Sequence, residues 1–395
     1  MFESVAPYQP KIAGALSTDI SGGTLASSCL FAGPRHSLRM TTALETARLL
    51  SCGGDRTETC SCPSCNAFRT LSVDNVVILS QRDNASVVET AISLFAKNRT
   101  ESSRIFLLRS TRIALMQYHG ALLSSATSSQ EASYDIASTV NDTLIALEGE
   151  KGDISEKMAK SYASDLRQGM KKLSASEKKD TRLSIAQVRS IAEWAGQTTV
   201  GGKKRFIILE GIEDANVASR NSLLKILEEP PKDVYFFLVS SHPVRIMPTI
   251  LSRVRKYTFD PLEERQVRQL LSTLSPSPTY GSFDDFFLAE SGVDISVLVS
   301  MAVKMEESMR TKQYLSGPDM DALIAQVDTG SACDYFLIRL LGCVESSFLE
   351  GRISCSQASV WEETISTMKS QGDLYNQNNK LLLQTLYLRL MEEAE

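Results

Sequence analysis

Apolar residues along this chain fall into short continuous runs separated by longer amphipathic stretches. Phe206-Ile207-Ile208-Leu209 and Val234-Tyr235-Phe236-Phe237-Leu238-Val239 are rich in β-branched and aromatic side chains and too short for helices. Such runs predict strands buried on both faces, as in a parallel sheet. Cys29-Leu30-Phe31-Ala32 and Asn75-Val76-Val77-Ile78-Leu79 read the same way, and Lys256-Tyr257-Thr258-Phe259 is β-prone. Between the first two runs, Asn216 to Glu229 spaces Leu223, Leu224 and Leu227 as a helix does, and Pro230-Pro231 stops it. Strand, helix, strand in repetition predicts an α/β fold, a parallel sheet flanked by helices.

Helical spacing governs the rest. Arg104 to Leu123 places Ile105, Leu108, Leu115 and Met116 on one face, and Tyr134 to Leu147 does so with Ile136, Val140 and Leu144. Both belong to an insertion of about 82–182 between the second and third strands. Its end, Glu150 to Arg182, is lysine-rich with interspersed acids, either a solvated helix or linker or a surface for nucleic acid or a partner. Beyond Phe259, residues 261–314 alternate helical stretches with a Ser/Pro turn at Ser275 to Ser282, and Leu315-Ser316-Gly317-Pro318 reads as a linker. Residues 315–395 are helical in pattern and end in Leu381-Leu382-Leu383-Gln384-Thr385-Leu386-Tyr387-Leu388-Arg389-Leu390. These leucines suit either an intramolecular bundle or an interface between subunits.

Composition narrows the classes. At 395 residues with 43% hydrophobic and 23% charged content, this is a globular chain with room for two or three domains. A net charge of −5 makes any nucleic-acid contact local rather than global. No charged-then-apolar N-terminal segment and no run of membrane-spanning length occurs, so the expectation is a cytoplasmic protein that does not meet the membrane. Eight cysteines in that setting point to metal or core use rather than disulfides.

Two constellations carry candidate chemistry. The strand Cys29–Ala32 delivers the chain into Gly33-Pro34-Arg35-His36-Ser37-Leu38-Arg39-Met40-Thr41-Thr42 and then a helix, the place of a phosphate-binding loop. That loop needs a second glycine for curvature, a lysine for the β/γ-phosphates and a hydroxyl for Mg²⁺. Aligned on Gly33, these positions hold Leu38, Arg39 and Met40, with Thr41 one residue beyond. Leucine obstructs the pocket and a thioether is a poor ligand for a hard cation, so the loop is read as degenerate. Downstream lie Cys52, Cys60, Cys62 and Cys65. Four thiolates are the donor set of a tetrahedral structural zinc, and Cys62/Cys65 has the Cys-x-x-Cys spacing of half such a cage. Cys60 and Cys62 stand only two apart, which predicts a tight chelate or a shifted register; uncoordinated loop thiols are the alternative.

Asn221-Ser222-Leu223-Leu224-Lys225-Ile226-Leu227-Glu228-Glu229-Pro230-Pro231, followed by Ile250-Leu251-Ser252-Arg253, resembles the bacterial clamp-loader AAA+ family. Its members include the gamma/tau and delta-prime subunits of DNA polymerase III. The resemblance implies a RecA-like AAA+ core over 1–260 carrying a zinc loop at 52–65, a helical lid over 261–314 and a C-terminal helical collar over 315–395. It also implies that Ser252-Arg253 supplies an arginine finger to ATP on a neighbouring subunit; a surface salt bridge is the other reading of Arg253. The family's Asp-Glu pair falls on Glu210 and Gly211, and the lid stretch Glu290 to Ser296 lacks the family's arginine. With Leu38, Arg39 and Met40, these losses resemble the non-hydrolysing delta-prime branch. Implied partners are clamp-loader ATPase subunits and a delta-like subunit in a hetero-oligomeric ring, with the sliding clamp and primer-template DNA reached through that complex. An active gamma/tau-type ATPase, or an interaction protein on the same fold, are the alternatives.

Overall fold

The computed structural model describes residues 1–80, 84–125, 131–176, 183–197, 203–275, 280–327, 330–375 and 378–393. It divides into two compact units, Met1–Gly281 and Ser282–Glu395. In chain order the first unit contains α1 (Pro10–Ser21), β1 (Ser28–Ala32), α2 (Arg39–Ser51), α3 (Pro63–Thr70), β2 (Val76–Ser80), α4 (Asn84–Asn98), α5 (Glu101–Leu115), α6 (Glu131–Gly149), α7 (Glu156–Ser176), α8 (Ile185–Gly196), β3 (Arg205–Glu210), α9 (Val217–Glu228), β4 (Val234–Ser240), α10 (Pro248–Leu251), β5 (Arg255–Thr258) and α11 (Glu264–Ser272).

All five strands run parallel in the order β2-β3-β4-β1-β5. Because side chains alternate across a strand, each apolar run feeds two cores. Cys29, Phe31, Phe206, Ile208, Phe237, Val239 and Tyr257 pack with α1, α2 and α3 on one face. Leu30, Ala32, Ile207, Leu209, Phe236 and Leu238 pack with α8, α9 and α10 on the other. Burial on both faces is why β1–β4 read as unbroken apolar runs, whereas β5 is buried only at Tyr257.

The insertion has a core of its own. Val88, Ile92, Phe95, Leu107, Leu108, Val140, Leu144, Leu147, Leu166 and Leu173 from α4–α7 pack together. The sequence pattern missed α4 and extended α5 too far, since the chain tightens into 3-10 turns at Met116–Tyr118 and Gly120–Ser125. Residues 177–182 of the lysine-rich run and 276–279 of the Ser/Pro turn lie outside the described residues. The insertion is seated on α3: Arg109 donates to the Phe68 carbonyl (3.1 Å) and Arg112 to that of Thr70 (2.9 Å). Arg112 also pairs with Glu148 of α6 at 2.6 Å, and the Thr70 hydroxyl donates to the same carboxylate. Guanidinium groups at a helix C-terminus satisfy its last carbonyls and complement its dipole.

The second unit is helical: α12 (Phe283–Glu290), α13 (Ile295–Thr311), α14 (Gly317–Gln326), α15 (Gly330–Leu349), α16 (Cys355–Tyr375) and α17 (Asn379–Glu393). Leu298, Met305, Phe336, Leu340, Trp361, Leu383 and Leu386 form its core. Ile338, Leu349, Leu381 and Leu388 stay exposed. The span expected as a lid, 261–314, straddles the boundary, with α11 in the first unit and α12–α13 in the second. No single described helix is long and apolar enough to cross a membrane.

Candidate functional site

Parallel register places the Gly33–Thr42 loop and Glu210 at the same end of the sheet, past the C-terminal ends of β1 and β3. Ala32 pairs with Ser240 and Glu210 with Val239, so the two strands end within one residue of each other, on either side of β4. Strands two apart in a sheet are separated by about 10 Å. The loop is tightly seated. The Gly33 N–H donates to the Ser240 carbonyl (3.2 Å), the Ser37 hydroxyl to Pro34 O (2.8 Å) and the Gln9 amide to Ser37 O (3.4 Å). A Cβ on Gly33 would come within 2.7 Å of the Phe259 carbonyl oxygen and 2.8 Å of its Cβ. Gly33→Ala is therefore expected to destabilise the fold by about 1–3 kcal/mol, read as a lower denaturant midpoint at unchanged m-value.

Leu38 has φ +68° and caps α2 with no side-chain hydrogen bond. That left-handed conformation suits glycine and is costly for a bulky residue. Arg39 is buried, Met40 is half-buried, and Thr41, the alternative hydroxyl, is exposed. At the end of β3 the Glu210 carboxylate accepts from the Ser80 hydroxyl at 2.6 Å. Gly211 follows with φ +80° and has no side chain to act as a base. Sequence reasoning missed the next carboxylate. Glu213 is buried and accepts from the Ser240 hydroxyl (2.8 Å) and the His242 N–H (3.3 Å), fixing the turn that leaves β4.

Arg253 stands at the opposite end. It precedes β5, whose Arg255 pairs with Cys29 at the start of β1, whereas the phosphate loop begins after Ala32. A strand of this length separates the two ends by about 10–13 Å. The Arg253 guanidinium is 29% exposed and pairs with Glu228 at the end of α9, Nε lying 2.8 Å from Oε1. It also donates to the Thr249 carbonyl (2.6 Å) and to the Ser252 hydroxyl (3.2 Å), which itself donates to Thr249 O (3.1 Å). The salt bridge expected as one reading of this arginine therefore exists, on a partner 25 residues away.

The four cysteines are brought together. Their sulfurs lie within 4.8 Å of one another, with Cys52–Cys60 at 3.6 Å and Cys52–Cys62 at 3.9 Å. A tetrahedron with Zn–S bonds of 2.3 Å has S···S edges of about 3.8 Å. The short Cys60/Cys62 spacing is accommodated because Cys62 caps α3 and Cys65 sits in its first turn. The Cys65 N–H donates to Cys62 Sγ (3.4 Å), and this bond is the main cause that lowers the Cys62 thiol to about 6. Burial pushes the Cys65 thiol up, against the Arg48 guanidinium 2.9 Å from its sulfur. The Gly54 N–H donates to Cys52 Sγ (3.3 Å), and a Cβ on Gly54 would lie 2.7 Å from Cys60 Sγ. Donor set, edge lengths and surrounding N–H donors fit a metal ion of zinc type.

Residues 8–263 match the family model described as DNA polymerase III, delta subunit, more than half of the chain. The chain belongs to the DNA polymerase III delta subunit family. With that, the five-stranded parallel sheet flanked by helices is an AAA+ core. The delta-prime subunit of Bacillus subtilis is 32% identical over 93 residues, 24% of this chain and 28% of that protein. Its Pseudomonas aeruginosa counterpart is 39% identical over 77 residues, 20% of this chain and 24% of the relative. The gamma/tau subunit of Mycobacterium tuberculosis is 32% identical over 90 residues, 23% of this chain and 16% of that one. The chain thus spans about a quarter of the length of the delta-prime relatives it matches. Among solved structures, a Thermotoga maritima DNA polymerase III gamma subunit-related protein aligns at 16% identity, covering 55% of this chain and 82% of that one with a TM-score of 0.31.

Proposed function

We propose that this chain is a delta-prime-like clamp-loader subunit that hydrolyses no ATP itself and presents Arg253 to nucleotide held by a neighbour. The observation that carries this reading is the placement of Arg253 at the end of the sheet opposite its own phosphate loop. An arginine there serves a site on another chain, not its own. The loop supports the same division of labour, because Leu38 stands where curvature needs glycine and Met40 where Mg²⁺ needs oxygen. Arg253 would leave Glu228 for the γ-phosphate as ATP closes the neighbouring site, exchanging one anionic partner for a more highly charged one. Zinc on Cys52, Cys60, Cys62 and Cys65 would hold the loop and α3 in shape, with no part in the chemistry. In this reading the second unit supplies part of the lid and the collar of a hetero-oligomeric ring, which opens a sliding clamp and loads it onto primed DNA.

The gamma/tau relative, 32% identical over 90 residues, supports a second reading, an ATPase with an atypical site. Calorimetric titration of the isolated chain with Mg²⁺-ATP separates the two. No heat of binding at sub-millimolar nucleotide is the expected result. Saturable binding in that range, abolished by removing Mg²⁺, would assign the chain to the ATPase class.

A further inference from the structure

We propose that the outer face of α7 is a binding surface for the phosphate backbone of duplex nucleic acid. This site lies in the insertion and does not depend on the role of Arg253. The inward face of α7 carries Ala159, Ala163, Leu166 and Leu173, all buried in the insertion core. With that face fixed, Lys157, Lys160, Ser161, Ser164, Gln168, Lys171 and Lys172 share the exposed side. The other basic residue of the helix, Arg167, is exposed on the same flank as Lys160 and pairs with Glu89 of α4 at 2.7 Å.

Two acids flank the ridge. Glu156 holds Lys160 at 2.5 Å, but with side chains 69% and 61% exposed this pair is screened and exchangeable. Asp165 lies at the margin of the exposed side. From Lys157 to Lys172 the ridge runs about 22 Å, a length over which duplex DNA carries about 13 phosphate charges. A chain of net charge −5 has no general attraction for a polyanion, so the attraction must come from such a local patch.

The chemistry of the ridge selects backbone over bases. Lysines are flexible point charges, and the serine hydroxyls between them suit phosphate oxygens. The one aromatic residue of α7, Tyr162, is bonded to Glu150 at 2.8 Å, so nothing on this face can stack on an unpaired base. The occupant is therefore a duplex bound without sequence preference.

The test is fluorescence anisotropy of a labelled duplex of about 20 base pairs titrated with the full chain at several salt concentrations. Four lysines on four phosphates give a log–log salt slope near −3.6, so raising salt from about 50 to about 200 mM should weaken binding about 150-fold. The quadruple variant Lys157→Gln, Lys160→Gln, Lys171→Gln, Lys172→Gln should lose most of that slope and bind at least tenfold more weakly at the lower salt. All four side chains are exposed, and circular dichroism checks that α7 remains folded. A matched variant with Lys11, Lys203, Lys232 and Lys256 changed to Gln should keep the wild-type slope. Absence of binding by the wild type, an unchanged slope in the α7 variant, or an equal loss in the matched variant would each overturn the proposal. So would preference for single-stranded DNA, or equal affinity for polyglutamate, which would assign the ridge to an acidic protein.

Discussion

Arg253→Ala is expected to lower ATP turnover of the reconstituted clamp-loader complex by about 10³-fold or more, the range seen when an arginine finger is removed from other phosphoryl-transfer sites. The same change should leave this chain folded and the assembly intact. Its intramolecular contacts are an ion pair with Glu228, 29% and 47% exposed, and hydrogen bonds to the Thr249 carbonyl and the Ser252 hydroxyl. Half-exposed pairs of this kind contribute about 0–1 kcal/mol, so an effect on turnover cannot be passed off as unfolding. Arg253→Lys should rescue little, because an ammonium cannot reproduce the planar fork that engages two phosphate oxygens. Glu228→Gln removes the competing anion and should leave turnover unchanged or raised. If Arg253→Ala complexes hydrolyse ATP at the wild-type rate, the arginine is a salt-bridge residue and no more. Turnover that falls only because the complex no longer assembles would equally reject the finger. Sedimentation of the assembled ring alongside the rate assay distinguishes these cases.

The sheet was legible because its chemistry is local. A strand buried on both faces must be apolar at every position, and Phe206 to Leu209 and Val234 to Val239 advertise this without help from the rest of the fold. At the loop after β1, Leu38 was read as out of place where curvature wants glycine, and the structure puts it at φ +68°. What escaped notice depends on distant partners or on short elements. Glu228 and Arg253 meet across 25 residues, and no local pattern pairs them. The eight-residue helix α3 is too short for periodicity and announces itself only through Pro63 after a capping cysteine. Helix α7 reads as a solvated lysine run because its buried face relies on Ala159 and Ala163, which weigh little in an apolar count. Gly54 offered a clue that went unused. A glycine two residues after a candidate metal-binding cysteine marks backbone that must pass close to sulfur, here the Cys60 thiol.

On the zinc reading proposed above, removing the metal, by chelation or by Cys65→Ser, is expected to cost stability in the upper range of single changes, above about 4 kcal/mol, where loss of a structural metal falls. Helix α3 has eight residues, and a helix that short does not persist alone. It is held at both ends. At its N-terminus Cys62 and Cys65 would anchor it to the metal, where a tetrathiolate site carries net negative charge against the positive end of the helix. At its C-terminus Arg109 and Arg112 bind the carbonyls of Phe68 and Thr70. Take away the metal and one anchor is gone; the free thiolates repel or take up protons, and Arg48 loses its charged partner at Cys65. The arginines then lack ordered carbonyls, and Arg112 and Glu148 lose the framework that pairs them. Loosening should pass from the cysteine loop through α3 into α5 and α6, while helices of the second unit serve as an internal reference. Native mass spectrometry should find one zinc per chain in the intact protein and none in Cys65→Ser, with Cys355→Ser, an exposed thiol outside the cluster, retaining it. Hydrogen exchange should then show faster exchange in peptides covering 52–70 and 101–149 of the metal-free protein. Gly54→Ala should fall between, its methyl group pressing on Cys60 without deleting a ligand. A metal-free chain with an unchanged melting curve and unchanged exchange in α3 would mean that the four thiols pack without a metal, and that the arginines alone hold the insertion in place.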